Sequence, residues 1–303
     1  MLGYLIRRGS VAIAVAIVIS VLTFWFTNVA VDPAVSMAGE GARPEHIELV
    51  RTQYGFDQPL YVQYGQWLGK WLTGDFGTSF RQRRPVTDML AERFPVTAVL
   101  GLCALALIVA VPLGIVAALK PNTFVDRLSL GTAVVGLAVP SFWMGMLLIS
   151  VFGISLKWLP ISGGSTPLHY VLPVVTLAYY ALPPIMRLVR SGMIDVLQSD
   201  YVRTARAKGL RKSTVILKHA LRNALVPVVA LGAVQLGHLL GGSVVVESVF
   251  SLGGVGLLAW EAIRAGDLPV IQAILVIISA IYVGLTFLAD LLNAAIDPRI
   301  RVS

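Results

Sequence analysis

Six stretches of the chain contain no Asp, Glu, Lys or Arg, and each is long enough to cross a lipid bilayer as a helix. One crossing needs about 20 predominantly apolar residues. The stretches cover residues 9–31, 94–119, 128–156, 158–186, 223–246 and 268–289. This pattern predicts an all-α, polytopic membrane protein with six transmembrane helices.

The polar segments between these stretches predict the side of the membrane on which each loop lies. Arg7 and Arg8 precede a first stretch that is longer than the apolar core of a signal peptide, so we expect an uncleaved span. Loops rich in Lys and Arg stay in the cytoplasm. Both termini are therefore expected inside, together with the loops at residues 120–127 and 187–222. The remaining loops are expected outside.

These expectations divide the chain into four parts. Residues 1–31 form an N-terminal region with the first transmembrane helix, and residues 32–95 form an external segment with short helices. Residues 96–292 form a five-helix core that carries a basic cytoplasmic loop at residues 190–222. Residues 293–303 form a cytoplasmic tail.

An aromatic pattern in the external segment predicts a short amphipathic helix. The residues that recur at helical spacing are Tyr61, Tyr64, Trp67, Leu68 and Trp71. We interpret most of them as packing against the membrane surface, with substrate contact as the alternative.

Composition agrees with a membrane protein. Of 303 residues, 56% are hydrophobic and 13% are charged, whereas soluble domains have about 25% charged residues. Most of the net charge of +8 is explained by positive cytoplasmic loops, which disfavours nucleic-acid binding. The single cysteine, Cys103, lies in an apolar stretch and excludes an intrachain disulfide.

The sequence lacks the common motifs of enzymes. It contains no GxxxxGK[ST] phosphate loop, HExxH, CxxC or GxSxG, and its four histidines are scattered over different segments. We therefore predict no catalytic residue, no metal site and no cofactor in this chain. The stretches also lack the buried charges that proton- or sodium-coupled carriers need, which disfavours a secondary transporter.

The most basic segment lies between the fourth and fifth stretches. Residues 187–222 contain nine Lys or Arg and two Asp, so nine minus two gives +7. Tyr201, Ala205 and Lys208 fall on one helical face, Gly209 can end that helix in a left-handed turn, and Ser213 can cap a second helix. A helix, a glycine and another helix between two spans indicate docking onto a cytoplasmic partner.

Mild polar residues in the fifth stretch allow two interpretations. Gln235, His238 and Ser243 lie near several glycines and indicate either a wall of a translocation path or hydrogen bonds between closely packed helices. Pro183 and Pro184 likewise indicate either a hinge or an ordinary helix end before the basic loop.

Several motifs resemble the permease subunits of ABC importers, in the branch that carries oligopeptides, dipeptides, nickel and glutathione. They are RTARAKGL at residues 203–210, DQPL at 57–60, GDFG at 74–77, ESVF at 247–250, GGVG at 253–256 and LNAAIDPRIR at 292–301. The family's general pattern has Glu at the position of Arg203. The form RTARAKGL is nevertheless typical of the peptide and nickel branch.

The resemblance implies a type I ABC importer permease fold and a subunit without enzymatic activity in the bacterial inner membrane. It implies a second, different permease, two ATP-binding subunits that hold ATP and Mg²⁺, an external solute-binding protein and surrounding lipid, with no nucleic acid. The implied ATPase-coupling loop consists of Arg203, Thr204, Ala205, Arg206, Ala207, Lys208, Gly209, Leu210 and Arg211. The implied external gate or binding-protein contact consists of Glu247, Gly253, Gly254 and Gly256.

The substrate stays open at this point. Short peptides are favoured by the breadth of the family, and nickel, a metal chelate or glutathione are alternatives within the same machinery. A secondary carrier or channel is the more remote alternative, because it leaves the basic loop unexplained.

Overall fold

The computed structural model of the chain describes residues 2–39, 41–104, 107–124, 126–128, 130–131 and 138–296. Helices joined by short turns make up most of these residues, and no β-strand occurs among them beyond an isolated bridge between Thr78 and Pro85. The all-α prediction is confirmed for this part of the chain.

The described residues form α-helices that are numbered in chain order. Their bounds are α1 (Leu2–Trp25), α2 (Pro33–Ala38), α3 (Pro44–Tyr54), α4 (Leu60–Leu72), α5 (Val86–Ala104), α6 (Leu107–Leu119), α7 (Ser141–Leu148), α8 (Val171–Leu197), α9 (Asp200–Ala207), α10 (Lys212–Thr214), α11 (Leu221–Ala224), α12 (Val226–Gly242), α13 (Val244–Val249), α14 (Val255–Ala265) and α15 (Leu268–Ile296). Segments of π-helix, Phe26–Ala30, Ile149–Ser155 and Val215–Ala220, continue α1, α7 and α10, and a 3-10 turn, Pro167–Tyr170, leads into α8.

Within the described residues, five helical segments are long and apolar enough to cross a membrane. They are Ile6–Val29, Val86–Leu119, Pro167–Leu197, Val226–Val249 and Leu268–Ala294. The third predicted stretch, residues 128–156, falls partly on positions 129 and 132–137, which lie outside the described residues, and the rest contains the shorter apolar helix Ser141–Ser155. Positions 297–303 of the predicted tail also lie outside the described residues.

Helix α8 is central to the fold and packs against α5, α6, α7 and α12. It runs without interruption through Pro183 and Pro184 to Leu197. The alternative of a helix end at this proline pair is therefore wrong. A membrane helix tolerates proline where its neighbours pack around the freed backbone groups, and Pro183 is buried. Residues 190–197, which the sequence assigned to the basic loop, form the last turns of α8.

Clusters of buried apolar side chains join the helices. One cluster, around Leu177 and Phe250, joins α5, α7, α8 and α13. Another, around Met186 and Val189, joins α6 to the second half of α8. A further cluster, around Leu258, joins α5, α14 and α15. These clusters bury the faces that the helices turn toward each other and leave apolar side chains on their outer faces for lipid.

Glycine sets the separation of α6 and α8. A Cβ atom at Gly114 would lie 2.7 Å from the Cβ of Val189 and 2.8 Å from the carbonyl oxygen of Met186. Such distances are shorter than van der Waals contact, so the two backbones reach this separation only with a residue that lacks a side chain. Small residues play this part in many membrane helix pairs.

Most aromatic residues of α4 pack on protein, whereas Tyr61 is 78% exposed. The rings of Phe24 and Trp67 have centroids 5.7 Å apart, those of Trp67 and Trp71 are 4.9 Å apart, and those of Trp71 and Phe76 are 4.7 Å apart. The indole Nε1 of Trp67 donates a hydrogen bond of 3.1 Å to Oε1 of Gln272 in α15. The predicted amphipathic helix is therefore present, and it joins α1 to α15.

A carboxylate at the start of α15 holds the turn that follows α4. Asp267 is buried and accepts hydrogen bonds from the hydroxyl of Ser79 and from the backbone N–H of Phe80, the latter at 3.0 Å. Arg81 donates through Nε to the carbonyl oxygen of Ala265 at 2.7 Å. Residues 79–81 are thereby fixed against the connection between α14 and α15.

Candidate functional site

Helix α9 ends at a glycine in the left-handed conformation, as the sequence predicts. Gly209 has φ of +74°. Its N–H donates to the carbonyl of Arg206 at 3.0 Å, and the N–H of Leu210 donates to the carbonyl of Ala205 at 3.4 Å. These two bonds form a Schellman motif, which satisfies carbonyl groups that the helix end would otherwise leave without partners.

Val202 and Ala205 form the buried face of α9. They are 0% and 7% exposed and pack against Val215 with Val196 and Leu197. Tyr201, Ala205 and Lys208, which the sequence places on one helical face, differ in burial, since Ala205 is buried whereas Tyr201 is 44% exposed and Lys208 is also exposed. Only the positions one turn apart at 202 and 205 carry small or branched apolar side chains that fit closely against the neighbouring helices.

The opposite face of α9 and the turn after it present cations to solvent. Exposed residues of this surface are Arg203, Thr204, Arg206, Ala207, Lys208, Gly209, Leu210 and Arg211. Arg203 lies 3.5 Å from Asp200, but both side chains are largely exposed, so the pair adds little to stability. The other four residues of the surface, Thr204, Ala207, Gly209 and Leu210, carry no charge, and Leu210 is 41% exposed. We call this set the cationic turn.

The second helix begins at Lys212, and Arg211 occupies its N-cap position without a side-chain cap. The predicted cap at Ser213 is therefore wrong, because the chain already has helical geometry at that residue. Helix α9 is also joined to α11 by a polar contact, in which Nδ2 of Asn223 donates to the hydroxyl oxygen of Tyr201 at 2.6 Å.

An ion pair that the sequence did not predict fixes the end of α8, the helix that precedes α9. Arg190 of α8 donates to both carboxylate oxygens of Asp126, at 2.6 and 2.7 Å, and the N–H of Asn122 donates to the same carboxylate at 2.8 Å. The hydrogen bonds from Arg190 hold the pKa of Asp126 below its ordinary value, against the opposing effect of burial. The pair joins the turn after α6 to the last turns of α8.

The three polar residues of the fifth stretch do not share one surface. Gln235 is buried, and its amide nitrogen lies 3.5 Å from the carbonyl oxygen of Ala181 in α8. His238 is exposed, with its ring centroid 6.5 Å from that of Tyr282 in α15. Ser243 is fully buried. For Gln235 this geometry matches the alternative of a contact between helices.

Glu247 is fully buried and organises the turn after α13. Its carboxylate accepts hydrogen bonds of 2.7 Å from the hydroxyl groups of Thr97 and Ser243 and of 2.8 Å from the N–H of Leu257. The hydroxyl oxygen of Thr97 accepts a further bond of 2.8 Å from the N–H of Val255. In this conformation the carboxylate therefore joins α13 to α5 and α14 and presents no surface to a partner.

Close packing explains the glycines that follow. A Cβ atom at Gly254 would lie 2.4 Å from the carboxyl carbon of Glu247, and one at Gly256 would lie 2.7 Å from the backbone of Val244. A Cβ atom at Gly253 would lie 2.5 Å from the guanidinium of Arg93. Three glycines within four residues are typical of a flexible turn, but the structure has a tightly packed one here instead.

The sequence model of one protein family matches most of the chain and identifies its family. A model described as "Binding-protein-dependent transport system inner membrane component" matches residues 110–302. The chain belongs to this family. A second model, described as the N-terminal part of a binding-protein-dependent transport system membrane component, matches residues 1–101 of the permease.

Named relatives support the same assignment. The permease is 44% identical to the glutathione transport system permease protein GsiC of Escherichia coli K12 over 304 residues, which cover 99% of each chain. The protein of the same name from Pectobacterium atrosepticum is also 44% identical over 99% of each chain. The predicted resemblance to the peptide and nickel branch of ABC importer permeases is confirmed.

A solved structure shares the fold. The permease resembles a chain of the methionine ABC transporter MetNI in an inward-facing conformation, with a TM-score of 0.56 and 17% identity. The match covers 69% of the permease and 96% of that chain.

The permease is thus a membrane subunit of an ABC importer, and it is not an enzyme. ATP hydrolysis belongs to separate subunits. Among the described residues, no group of three or more His, Cys, Asp or Glu side chains is arranged to hold a metal ion.

Proposed function

We propose that this permease forms part of the translocation pathway for short peptides, and that glutathione is a substrate. Glutathione is itself a short peptide, and relatives with 44% identity over nearly the whole chain carry the name of glutathione transport permeases. Nickel or a metal chelate is the second candidate, on the sequence resemblance stated above.

The cationic turn carries the proposal of a coupling role. Its cations project from helix α9, whose other face is anchored by Val202 and Ala205. The helix is followed by Gly209, which has no side chain. A rigid, positively charged projection suits a complementary acidic groove on an ATP-binding subunit. We therefore assign Arg203, Arg206 and Arg211 to contact with such a subunit.

The proposed assembly contains two ATP-binding subunits, a different second permease and a solute-binding protein. ATP and Mg²⁺ belong to the ATP-binding subunits, and this chain needs no cofactor of its own. Both termini of the chain lie in the cytoplasm, and the segment with α2, α3 and α4 faces the outside. No nucleic acid takes part.

The pathway itself is assigned to α12 and the turn after α13. Of the three polar residues there, we assign substrate contact to His238 because its side chain is exposed, whereas Gln235 bonds to the backbone of α8 and Ser243 bonds to Glu247. Glu247, Gly253, Gly254 and Gly256 build the outer turn that opens and closes the pathway. A His238→Ala variant with unchanged uptake kinetics would remove His238 from the pathway.

The deciding experiment measures ATPase activity of the complete complex in lipid nanodiscs. The complex is tested with its binding protein and glutathione, dialanine or a nickel chelate. We expect glutathione to stimulate hydrolysis, and we expect Arg203→Glu with Arg206→Glu to abolish the stimulation. Arg43→Glu, an exposed cation of the segment before α3, is the matched control.

The outcomes separate the alternatives. If only the nickel chelate stimulates ATP hydrolysis, the chelate and not glutathione is the substrate. Uptake that persists without ATP and collapses with an ionophore would indicate a secondary carrier and overturn the proposal.

Orientation has a simple test, because Cys103 is the only cysteine. In a Cys103→Ser background, single cysteines replace Arg206 and Arg43. An impermeant maleimide added to intact cells should label the cysteine at position 43 and not the one at 206. The reverse pattern would overturn the proposed topology.

A further inference from the structure

A cavity of about 840 Å³ lies between α4, the end of α1, the turn after α4 and the start of α15. It is separate from the buried network around Glu247 and from the cationic turn. Binding pockets for small molecules commonly measure about 300 to 1,000 Å³. The cavity is therefore large enough for a short peptide.

Aromatic rings and amides form walls that are already fixed. The rings of Trp67, Trp71 and Phe76 contact one another and line one side of the cavity. The amide of Gln272 accepts from Trp67 and donates to Oδ1 of Asn28 at 3.3 Å. These bonds hold the lining side chains in single positions, so a ligand would meet a preorganised surface.

The charges at the cavity are two cations and one anion. Lys70 and Arg83 line the cavity, and neither has an ion pair or a side-chain hydrogen bond within the described part of the chain. Asp75 also lines it, and only its Oδ1 is engaged, by the N–H of Gly77 at 2.9 Å. The cavity thus offers two donors to carboxylates and one acceptor to an ammonium group.

The backbone at position 83 is held in place by its turn. Arg83 has φ of +52°, a conformation that is costly for a residue with a side chain, and its N–H donates to the carbonyl of Ser79 at 3.0 Å. Ser79 in turn donates to buried Asp267. The anchoring of this turn therefore fixes the backbone from which Arg83 reaches the cavity.

We propose that this cavity binds short peptides that carry two carboxylates and one ammonium group, before they enter the membrane pathway. Lys70 and Arg83 pair with the carboxylates, Asp75 pairs with the ammonium group, and Trp67 and Trp71 cover the apolar part of the peptide. The inference rests on the proposed peptide function and gives this subunit a selectivity of its own. Glutathione has this set of charges, whereas dialanine has one carboxylate fewer.

The test is equilibrium binding of radiolabelled glutathione to the complete complex in nanodiscs, without the solute-binding protein. We expect saturable binding that is displaced by glutathione more strongly than by dialanine. Lys70→Gln with Arg83→Gln should weaken it by about tenfold or more, as the loss of charged hydrogen bonds predicts. Arg43→Gln, which removes a cation outside the cavity, should leave it unchanged.

A second variant tests the ammonium contact. Asp75→Asn should weaken binding of glutathione but should not weaken binding of N-acetylglutathione, which lacks the ammonium group. The thermal stability of each variant complex is measured in parallel, so that a folding defect is distinguished from a lost contact.

Contrary outcomes are distinct. Unchanged affinity in the Lys70 and Arg83 double variant would overturn the cavity as the binding site. A signal that appears only when the solute-binding protein is added would place the bound glutathione in that protein and would also overturn the cavity as the binding site. Normal glutathione uptake with no binding to the cavity would overturn this inference alone, whereas absent uptake of every peptide would overturn the proposed function.

Discussion

The guanidinium of Arg190 holds both carboxylate oxygens of Asp126, with Nε–Oδ1 and Nη2–Oδ2 distances of 2.6 and 2.7 Å. The side chain of Asp126 is 2% exposed and that of Arg190 is 21% exposed. The pair joins the turn after α6 to the helix that leads into α9. The pair therefore stabilises the helix that precedes the cationic turn, and it is not part of the exposed surface of that turn.

Removing Arg190 should lower the stability of the fold more than removing Asp126. Arg190→Gln leaves a buried carboxylate without its cation and should lower the free energy of unfolding by about 2 kcal/mol. Asp126→Asn should cost less, because the more exposed guanidinium can take up water. Thermal unfolding of the purified permease measures both variants. Arg84→Gln, which breaks an exposed pair with Glu92, is the control and should cause little change. Equal losses at positions 126 and 190 would contradict this explanation.

The same pair predicts how stability depends on pH. The folded pKa of Asp126 is lowered, chiefly by its hydrogen bonds to Arg190. A carboxyl group of this kind stabilises the fold above its unfolded pKa, near 4, and loses that contribution as pH falls through the folded value. The stability difference between the native permease and Asp126→Asn should stay constant from about pH 7 to 5 and shrink below about pH 4. Melting temperatures across this range check it. A difference that shrinks already between about pH 7 and 6 would point to a histidine instead.

Gly209 should be replaceable by Asn more readily than by Ala. Its φ of +74° is strained for Ala, at about 1 kcal/mol, whereas Asn tolerates the left-handed region. A Cβ atom there meets no atom within 4 Å, so conformation and not collision decides the result. We expect substrate-stimulated ATPase activity to fall in Gly209→Ala and to persist in Gly209→Asn.

Gly266 supplies a matched control for that experiment. It also ends a helix, with φ of +64° and open space around it, but it lies before α15 and far along the chain from α9. Gly266→Ala should therefore lower stability to a similar extent and leave ATPase stimulation intact. Equal loss of stimulation in the two Ala variants would show that Gly209 contributes only to the stability of the fold.

Gly254→Ala should disrupt the turn after α13. The added methyl group would lie 2.4 Å from the carboxyl carbon of Glu247, and three hydrogen bonds prevent that side chain from moving aside. Overpacking of this kind costs about 1 to 3 kcal/mol. Unfolding temperature and expression level in membranes measure the effect. Gly69→Ala in α4, where no atom lies within 4 Å, is the control and should be neutral or stabilising. A neutral Gly254→Ala would show that the turn is looser than this packing implies.

Glu247 should tolerate Gln better than Ala. In Glu247→Ala, the hydroxyl groups of Thr97 and Ser243 and the N–H of Leu257 lose their acceptor, which should cost about 3 kcal/mol. Glu247→Gln keeps one carbonyl oxygen as an acceptor and should cost less. Unfolding of the two variants in detergent compares them directly. An Ala variant as stable as the Gln variant would mean that these donors find other partners.

The sequence predicted the features that depend on local pattern. Charge-free stretches located the helices, the excess of cations located the loop around α9, and Gly209 located the end of that helix, since a left-handed C-terminus favours glycine. These signals lie within a few residues of the structure that they specify.

Features that depend on distant partners were missed. Arg190 resembled any other arginine of the basic segment, because nothing in its neighbourhood marks Asp126, 64 residues away, as its partner. Glu247 resembled an exposed acid at the edge of an apolar stretch, because its donors come from α5 and α14. A local signal was available in the spacing of Val202 and Ala205, which identifies the buried face of α9.

The unbroken course of α8 has a mechanical consequence. Its 27 residues span about 40 Å, and α9 follows its last turn after a short connection. A displacement applied at the cationic turn would therefore reach, along a single element, the helices α5, α6, α7 and α12 that pack against α8. The close contact at Gly114 would pass part of that displacement to α6. A movement of the cationic turn would then be shared among several helices of the bundle instead of staying confined to α9.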